Sequence, residues 1–204
     1  MLVDRKIRAV IFDLDNTLIQ SKKGARQALR VVARIFAKRL RETLLKQLGL
    51  SKLKGPWVHE TTLHYWKTYA GASPVFYDTM STIHRLKKAG FRLGMVSDSD
   101  GTPGMKMKRI RRQPFLKSLE AIVVAGEDTP GVKPTRRPFT LVARRLGLQP
   151  GNCVYIGDNP NTDIEGAKGV GMMMILVRRR GPKGGHPDYL VRSLSDVARL
   201  LIQN

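Results

Sequence analysis

Acidic residues are scarce in this chain. Of 204 residues only 16 are Asp or Glu, against 37 Lys or Arg, a formal net charge of +21 with histidine counted neutral. Such a surface attracts polyanions and repels other copies of itself. Cysteine is down to one, Cys153, so no internal disulfide can form. That excludes a disulfide-dense secreted module, and a reducing, cytoplasmic setting is the expectation. Apolar runs are short, and none approaches the ~18 residues of a membrane-spanning helix. The opening MLVDRKIRAVIFDLD places an Asp beside its basic residues and no long apolar stretch after them, which does not read as a secretory signal. What remains, with 42% hydrophobic residues, is one globular domain with room for a modest insert.

The charge is unevenly spread. From Lys22 to Lys54 the only acid is Glu42, and from Lys106 to Lys117 there is none. A solvated basic face and a phosphate-rich partner both explain such blocks, so nucleic acid stays open as a partner beside a small phosphorylated molecule. Trp57, Tyr65, Trp66 and Tyr69 follow the first block at spacings that suit helix packing. No zinc-finger, KH or RNP-like signature accompanies them.

Apolar runs at 7–12, 91–96, 119–125, 152–156 and 171–177 read as strands, each ending in polar residues. Between them, 79–89 and 138–148 carry apolar residues three and four apart, the pattern of helices laid on a sheet, with Gly90 and Gly147 as stops. The alternation predicts an α/β fold with a parallel sheet covered on both faces. Asp188–Val191 suits a short edge strand, and Ser195–Ile202 a last helix capped by Ser195. Residues 178–187 read as a loop with four basic side chains.

One stretch breaks the rhythm. Lys22–Leu48 is helical in pattern, with Ala25, Leu29, Val32, Ile35, Phe36, Leu40, Leu44 and Leu48 along one side, and it stops at Gly49. A second helical piece follows around 59–69. A crossover between parallel strands needs only about a dozen residues. Residues 20–77 are therefore expected to be an inserted helical module that packs its apolar stripe internally, with 1–19 and 78–204 forming the core.

Four polar stretches end consecutive predicted strands. Asp13 and Asp15 stand two apart, so an extended backbone would point both the same way. Two such carboxylates repel unless a cation relieves them, and Mg²⁺ is the natural oxygen-seeking one. Ser97, within Val96–Asp100, can donate its hydroxyl to a phosphoryl oxygen. Lys133, in Gly131-Val132-Lys133-Pro134, is placed to neutralise both the carboxylate pair and an incoming phosphate. Asp158 comes just off the fourth strand, and Asp163 five residues later near a helix start. Each alone reads equally as a turn or a cap. Together they occupy the strand ends, where parallel-sheet enzymes bind ligands.

With its DLDNTL (13–18), VSDS (96–99), GVKP (131–134) and GDNPNTDIEGAKGVGM (157–172), the chain resembles the haloacid dehalogenase-like superfamily over everything but the insert. The resemblance implies a Rossmann-like sheet ordered 5-4-1-2-3 with a helical cap inserted after the first motif. It implies Asp13 as nucleophile and Asp15 as general acid/base that also offers its backbone carbonyl to Mg²⁺. It further implies Ser97 as phosphate binder, Lys133 as stabiliser of nucleophile and phosphoryl group, Asp158 as metal ligand, and Asp163 as ligand or support, so that Ser97, Asp98 and Lys133 form the expected phosphate-binding group and Asp13, Asp15, Asp158 and Asp163 the expected metal group. Dehalogenases of the family lack the second Asp, because an expelled halide needs no proton. Asp15 therefore favours a Mg²⁺-dependent phosphomonoester hydrolase working through an aspartyl-phosphate. A phosphomutase would share all these residues, and a basic nucleic-acid-binding protein with little or no phosphatase activity is the other class left open.

Overall fold

A computed structural model of the chain describes residues 7–47, 57–179 and 185–202. Side-chain alternation decides its architecture. In β1 (Ala9–Phe12), Ala9 and Ile11 join one apolar cluster while Val10 and Phe12 join another. The same split separates Cys153 and Tyr155 from Val154 and Ile156 in β4 (Cys153–Gly157). It separates Met174 and Leu176 from Met173, Ile175 and Val177 in β5 (Met173–Val177). Strands apolar at every position need a layer on each side. With β2 (Arg92–Asp98), β3 (Ala121–Ala125) and β6 (Tyr189–Val191) they form one parallel sheet, ordered β3-β2-β1-β4-β5-β6. Read from the β5 side, the first five strands run 5-4-1-2-3; β6 is a sixth strand added beside β5.

One face is covered by α3 (Thr79–Lys88) and α7 (Leu194–Ile202), whose Ile83, Leu86, Val197 and Leu201 belong to the same apolar cluster as Val10 and Phe12. The other is covered by α5 (Arg136–Arg145) and α6 (Glu165–Gly169) through Phe139, Val142, Ala143 and Ala167. Gly90 and Gly147, at φ +87° and +61°, turn the chain out of α3 and α5. Helix α7 starts one residue earlier than expected, and its cap is Ser193, not Ser195. The Asp196 N–H donates to Ser193 Oγ (3.1 Å), and that hydroxyl donates to Asp196 Oδ2 (2.7 Å). A short helix that the sequence reading did not anticipate, α4 (Met105–Ile110), follows β2 and sends Ile110 into the first cluster.

The chain divides into two compact units, residues 1–19 with 75–204, and residues 20–74. Val75–Tyr77, expected within the insert, belong to the first. Val75 bridges to Ile19, and the Phe76 N–H donates to Leu18 O at 3.0 Å. The second unit holds α1 (Ser21–Gln47) and α2 (Trp57–Gly71), tied by an Arg39–Glu60 pair at 3.0 Å. The Tyr65, Trp66 and Tyr69 rings pack on one another with centroids 5.0 to 5.8 Å apart.

The predicted apolar stripe of α1 is displaced. Its buried line runs Ser21, Gly24 and Ala28, with Val32, Ile35 and Arg39 half-buried, while Leu29, Phe36 and Leu40 are exposed by 58%, 46% and 62%. That line lies one residue, about 100°, around the helix from those three. Small residues won the close face. Leu48 and Gly49 lie outside the described residues, as does the side chain of Leu44. Among the described residues no helix is long and apolar enough to cross a membrane.

Candidate active site

Asp13 is the first residue past β1, and its N–H donates to Ile156 O at 2.8 Å. The carboxyl is therefore carried at the end of the central strands, 4% exposed. Its Oδ1 accepts from Lys133 Nζ at 2.7 Å, and the same ammonium donates to Asp163 Oδ1 at 2.8 Å. Lys133 reaches across because its loop is tied to β2: Asp98 Oδ1 accepts the Lys133 backbone N–H at 2.9 Å. Lys133 thus neutralises Asp13 and Asp163, not the expected Asp13 and Asp15. Asp98, expected as a phosphate ligand, braces the loop that carries Lys133, a role suited to a carboxylate, which has no proton to offer a phosphate.

Asp163 is fully buried, and its Oδ2 accepts from the Asn159 N–H at 2.9 Å. It fits there only because residue 157 is glycine, since a Cβ at that position would stand 2.1 Å from Asp163 Oδ2. Beneath them lies Tyr155, whose hydroxyl donates to Val96 O (3.2 Å) and sits 3.3 Å from Lys133 Nζ and 3.4 Å from Asp163 Oδ1. Phe139 holds that ring edge-on, with centroids 4.9 Å apart. Sequence reasoning missed Tyr155, which sits in an apolar strand. Ser97 is buried in β2, two residues beyond the Met95 that pairs with Phe12.

Asp13, Asp158 and Asp163 each offer an oxygen, and these oxygens lie within 4.8 Å of one another. Burial pushes the Asp13 carboxyl up to about 8; Lys133 opposes this, while Asp163, Asp158 and Asp15 add to it. Burial also works against the charge of Lys133, but Asp13, Tyr155 and Asp163 outweigh it and hold the ammonium well above the ordinary lysine value. Three clustered carboxyls opposed by one lysine form an oxygen-rich, electron-rich site that fits a hard divalent cation. Cys153 is not among these residues: its Sγ donates to Gln149 O at 3.5 Å, and burial pushes the thiol up to about 11.

Asp15 stands outside that cluster. Its Oδ2 pairs with Lys106 Nζ and its Oδ1 with Arg109 Nη2, each at 2.5 Å. Both cations also pair with Asp100, Lys106 at 2.8 Å and Arg109 through Nη1 at 2.8 and 2.9 Å. The two neighbouring aspartates of the first motif thus end in separate charge networks. Burial alone would raise Asp15, but the Lys106 and Arg109 charges and hydrogen bonds outweigh it and hold the carboxyl down at about 2. Lys106 and Arg109 were hidden in a block of bases. The one signal was their i, i+3 spacing after a run of turn residues.

Comparisons with known proteins identify the family. A family model described as haloacid dehalogenase-like hydrolase matches residues 7–171. A glyceraldehyde 3-phosphate phosphatase of Methanopyrus kandleri is 30% identical over 94% of this chain and 91% of its own. A phosphoglycolate phosphatase of Salmonella typhimurium is 27% identical over 82% and 79%. In fold, the chain is similar to a HAD phosphatase from Thermococcus onnurineus, with a TM-score of 0.69, 23% identity and 96% and 98% coverage. It is also similar to a 2-haloacid dehalogenase from Pseudomonas syringae, with a TM-score of 0.74, 20% identity and 97% and 99% coverage. The buried Asp13–Lys133–Asp163 cluster at the strand ends is therefore that of a family member: this chain belongs to the haloacid dehalogenase-like hydrolases.

Proposed function

We propose that the protein is a Mg²⁺-dependent phosphomonoester hydrolase that works through an aspartyl-phosphate on Asp13, its substrate a small anionic metabolite. The observation that carries this reading is the Asp13–Lys133 pair at 2.7 Å with Asp15 two residues on. Asp13 Oδ attacks phosphorus, and the ester oxygen leaves with the bonding pair and takes a proton from Asp15. Asp15 is a carboxylate under Lys106 and Arg109 in the free enzyme; an arriving phosphoryl dianion raises its proton affinity, and it takes up one proton from solvent before the ester oxygen leaves. Lys133 offsets the repulsion between carboxylate and dianion, and Ser97 with neighbouring N–H groups meets the equatorial oxygens. Water then attacks the aspartyl-phosphate, its proton goes to Asp15, and the bond to Asp13 breaks. Bound Mg²⁺, held by Asp13 and Asp158 with Asp163 in support and the Asp15 backbone carbonyl as the family implies, supplies charge neutralisation at the phosphoryl oxygens.

Asp15 favours a phosphatase over a dehalogenase, and the resemblance to a glyceraldehyde 3-phosphate phosphatase and a phosphoglycolate phosphatase favours small phosphorylated substrates. In this reading residues 20–74 act as the family's cap, and their basic character selects esters with additional negative charge. The test is phosphate release from p-nitrophenyl phosphate and a panel of metabolite esters with and without Mg²⁺. Wild type is expected to need the metal, and Asp13→Asn, folded by circular dichroism, to lose turnover. Near-normal turnover by that variant would overturn the assignment.

A second reading, polyanion binding, has one observation in its favour. Arg136, Arg137, Arg144 and Arg145 of α5 line a single surface groove. Salt-sensitive binding of a random oligonucleotide with no ester hydrolysis would favour it.

A further inference from the structure

The closed ring of Asp15, Lys106, Asp100 and Arg109 balances two carboxylates with two cations, and its geometry does more than that balance requires. One cation would neutralise Asp15, yet each of its oxygens has its own, Oδ2 on Lys106 and Oδ1 on Arg109. Two fixed donors on opposite oxygens define a carboxylate's plane as well as its place, because each N–H directs one lone pair. The donors are themselves fixed. Lys106 and Arg109 are 3% and 2% exposed, stand i, i+3 on α4, and each holds Asp100 as well. Asp100 lies in the loop after β2, so its two ion pairs tie that loop to α4. The helix is anchored in turn by Ile110, which is fully buried in the core. Asp13, two residues away, is held by Lys133 instead.

We propose that Lys106 and Arg109, braced by Asp100, are positioning residues that orient the Asp15 carboxyl toward the ester oxygen leaving the phosphorus. The inference rests on the phosphatase reading above and adds to it the residues that aim its general acid. Neither cation touches the substrate in this scheme. Their effect is transmitted through Asp15 alone, and this sets a signature that loss of folding does not share. An alkyl phosphate expels a basic alkoxide and needs the proton in the transition state. p-Nitrophenyl phosphate expels a stable phenolate and hardly does. The ratio kcat/KM covers the steps up to formation of the aspartyl-phosphate, so it reads this proton transfer without the later hydrolysis.

The experiment measures kcat/KM for p-nitrophenyl phosphate and for the best alkyl monoester of a metabolite panel, in wild type, Lys106→Met, Asp15→Asn and the double variant. Lys106→Met is expected to lower the alkyl-to-aryl ratio about tenfold or more, within the 10²–10⁴ worth of a general acid. In the Asp15→Asn background it is expected to change the ratio no further. Asp100→Asn, which keeps both cations but loosens their brace, is read in the same way if Lys106→Met does not fold. A ratio that stays constant while both activities fall, or that rises, overturns the inference and leaves the phosphatase reading intact. So does a wild type that cleaves only the aryl ester. A wild type that cleaves neither overturns both.

Discussion

The hydrogen atom that serves as the side chain of residue 157 is what lets Asp163 share Lys133 with Asp13. Gly157→Ala would put a carbon 2.1 Å from Asp163 Oδ2, so the carboxylate must leave its place or the strand end must shift. Overpacking of this kind costs about 1–3 kcal/mol. The expected result is a lower urea midpoint together with a weaker response to Mg²⁺; an unchanged variant in both would refute the packing argument. Asp13 and Asp158 were legible as candidates because each directly follows an apolar run, Lys133 because of its place in the loop between β3 and α5, and Asp163 because it comes near a helix start. Tyr155, Lys106 and Arg109 were not. Tyr155 reads as one more large residue in a buried strand, and Lys106 and Arg109 are bases among bases. The acid that reveals them, Asp15, is 91 and 94 positions away in sequence.

At the scale of elements, Asp78 joins pieces far apart in the chain. Its buried carboxylate accepts from Arg179 (2.8 and 3.1 Å) and from the backbone N–H of Leu194 (2.8 Å), which opens α7. Arg179 meanwhile lies over the Phe76 ring, 3.7 Å from its centroid. Asp78→Asn replaces a charged, bidentate acceptor with an amide, and a loss of about 2–3 kcal/mol is expected. Equilibrium urea unfolding with activity at low denaturant checks this, and a loss below about 0.5 kcal/mol would refute it. The strands were readable because an apolar run closed by polar residues survives without tertiary context. Helix α4 was not, being six residues long behind a glycine-rich turn. The face of α1 was misjudged because Leu outranks Gly and Ala by hydrophobicity alone, whereas close helix contact favours the small residues of its Gly24–Ala28 line.

For the whole molecule, the titration of the site makes metal binding and folding depend on pH together. Asp13 is raised to about 8 from its ordinary 3.8, so without metal its contribution to stability is full below about pH 4 and is lost as pH rises toward 8. A divalent cation binds the carboxylate form and must displace any proton held there, so its affinity rises across that window. Millimolar Mg²⁺ is expected to raise Tm more at pH 8 than at pH 5.5, as followed by thermal unfolding; an equal shift would contradict a protonated Asp13. Asp15 acts in the opposite sense. Held at about 2, it contributes stability above about pH 4 that is lost as pH falls toward 2. The +21 net charge adds a long-range pull on anionic substrates. Their kcat/KM is expected to fall with added NaCl while kcat changes little, because salt screens encounter and not the buried site. A salt-independent kcat/KM would remove steering from the account.

By itself the order of residues determined the layered α/β class, the place of Asp13 and Asp158 directly after strands and of Ser97 near the end of one, and the position of Lys133 in the loop between β3 and α5. Each depends on local periodicity or on which residue follows a strand, and both survive in one dimension. Which carboxylate each cation holds was decided only in three dimensions. Lys133 is tied to Asp13 and Asp163, and Lys106 and Arg109 to Asp15, because ion pairing obeys distances that crossover connections set. In a chain so rich in bases, pairing is the part of the chemistry that sequence leaves undetermined.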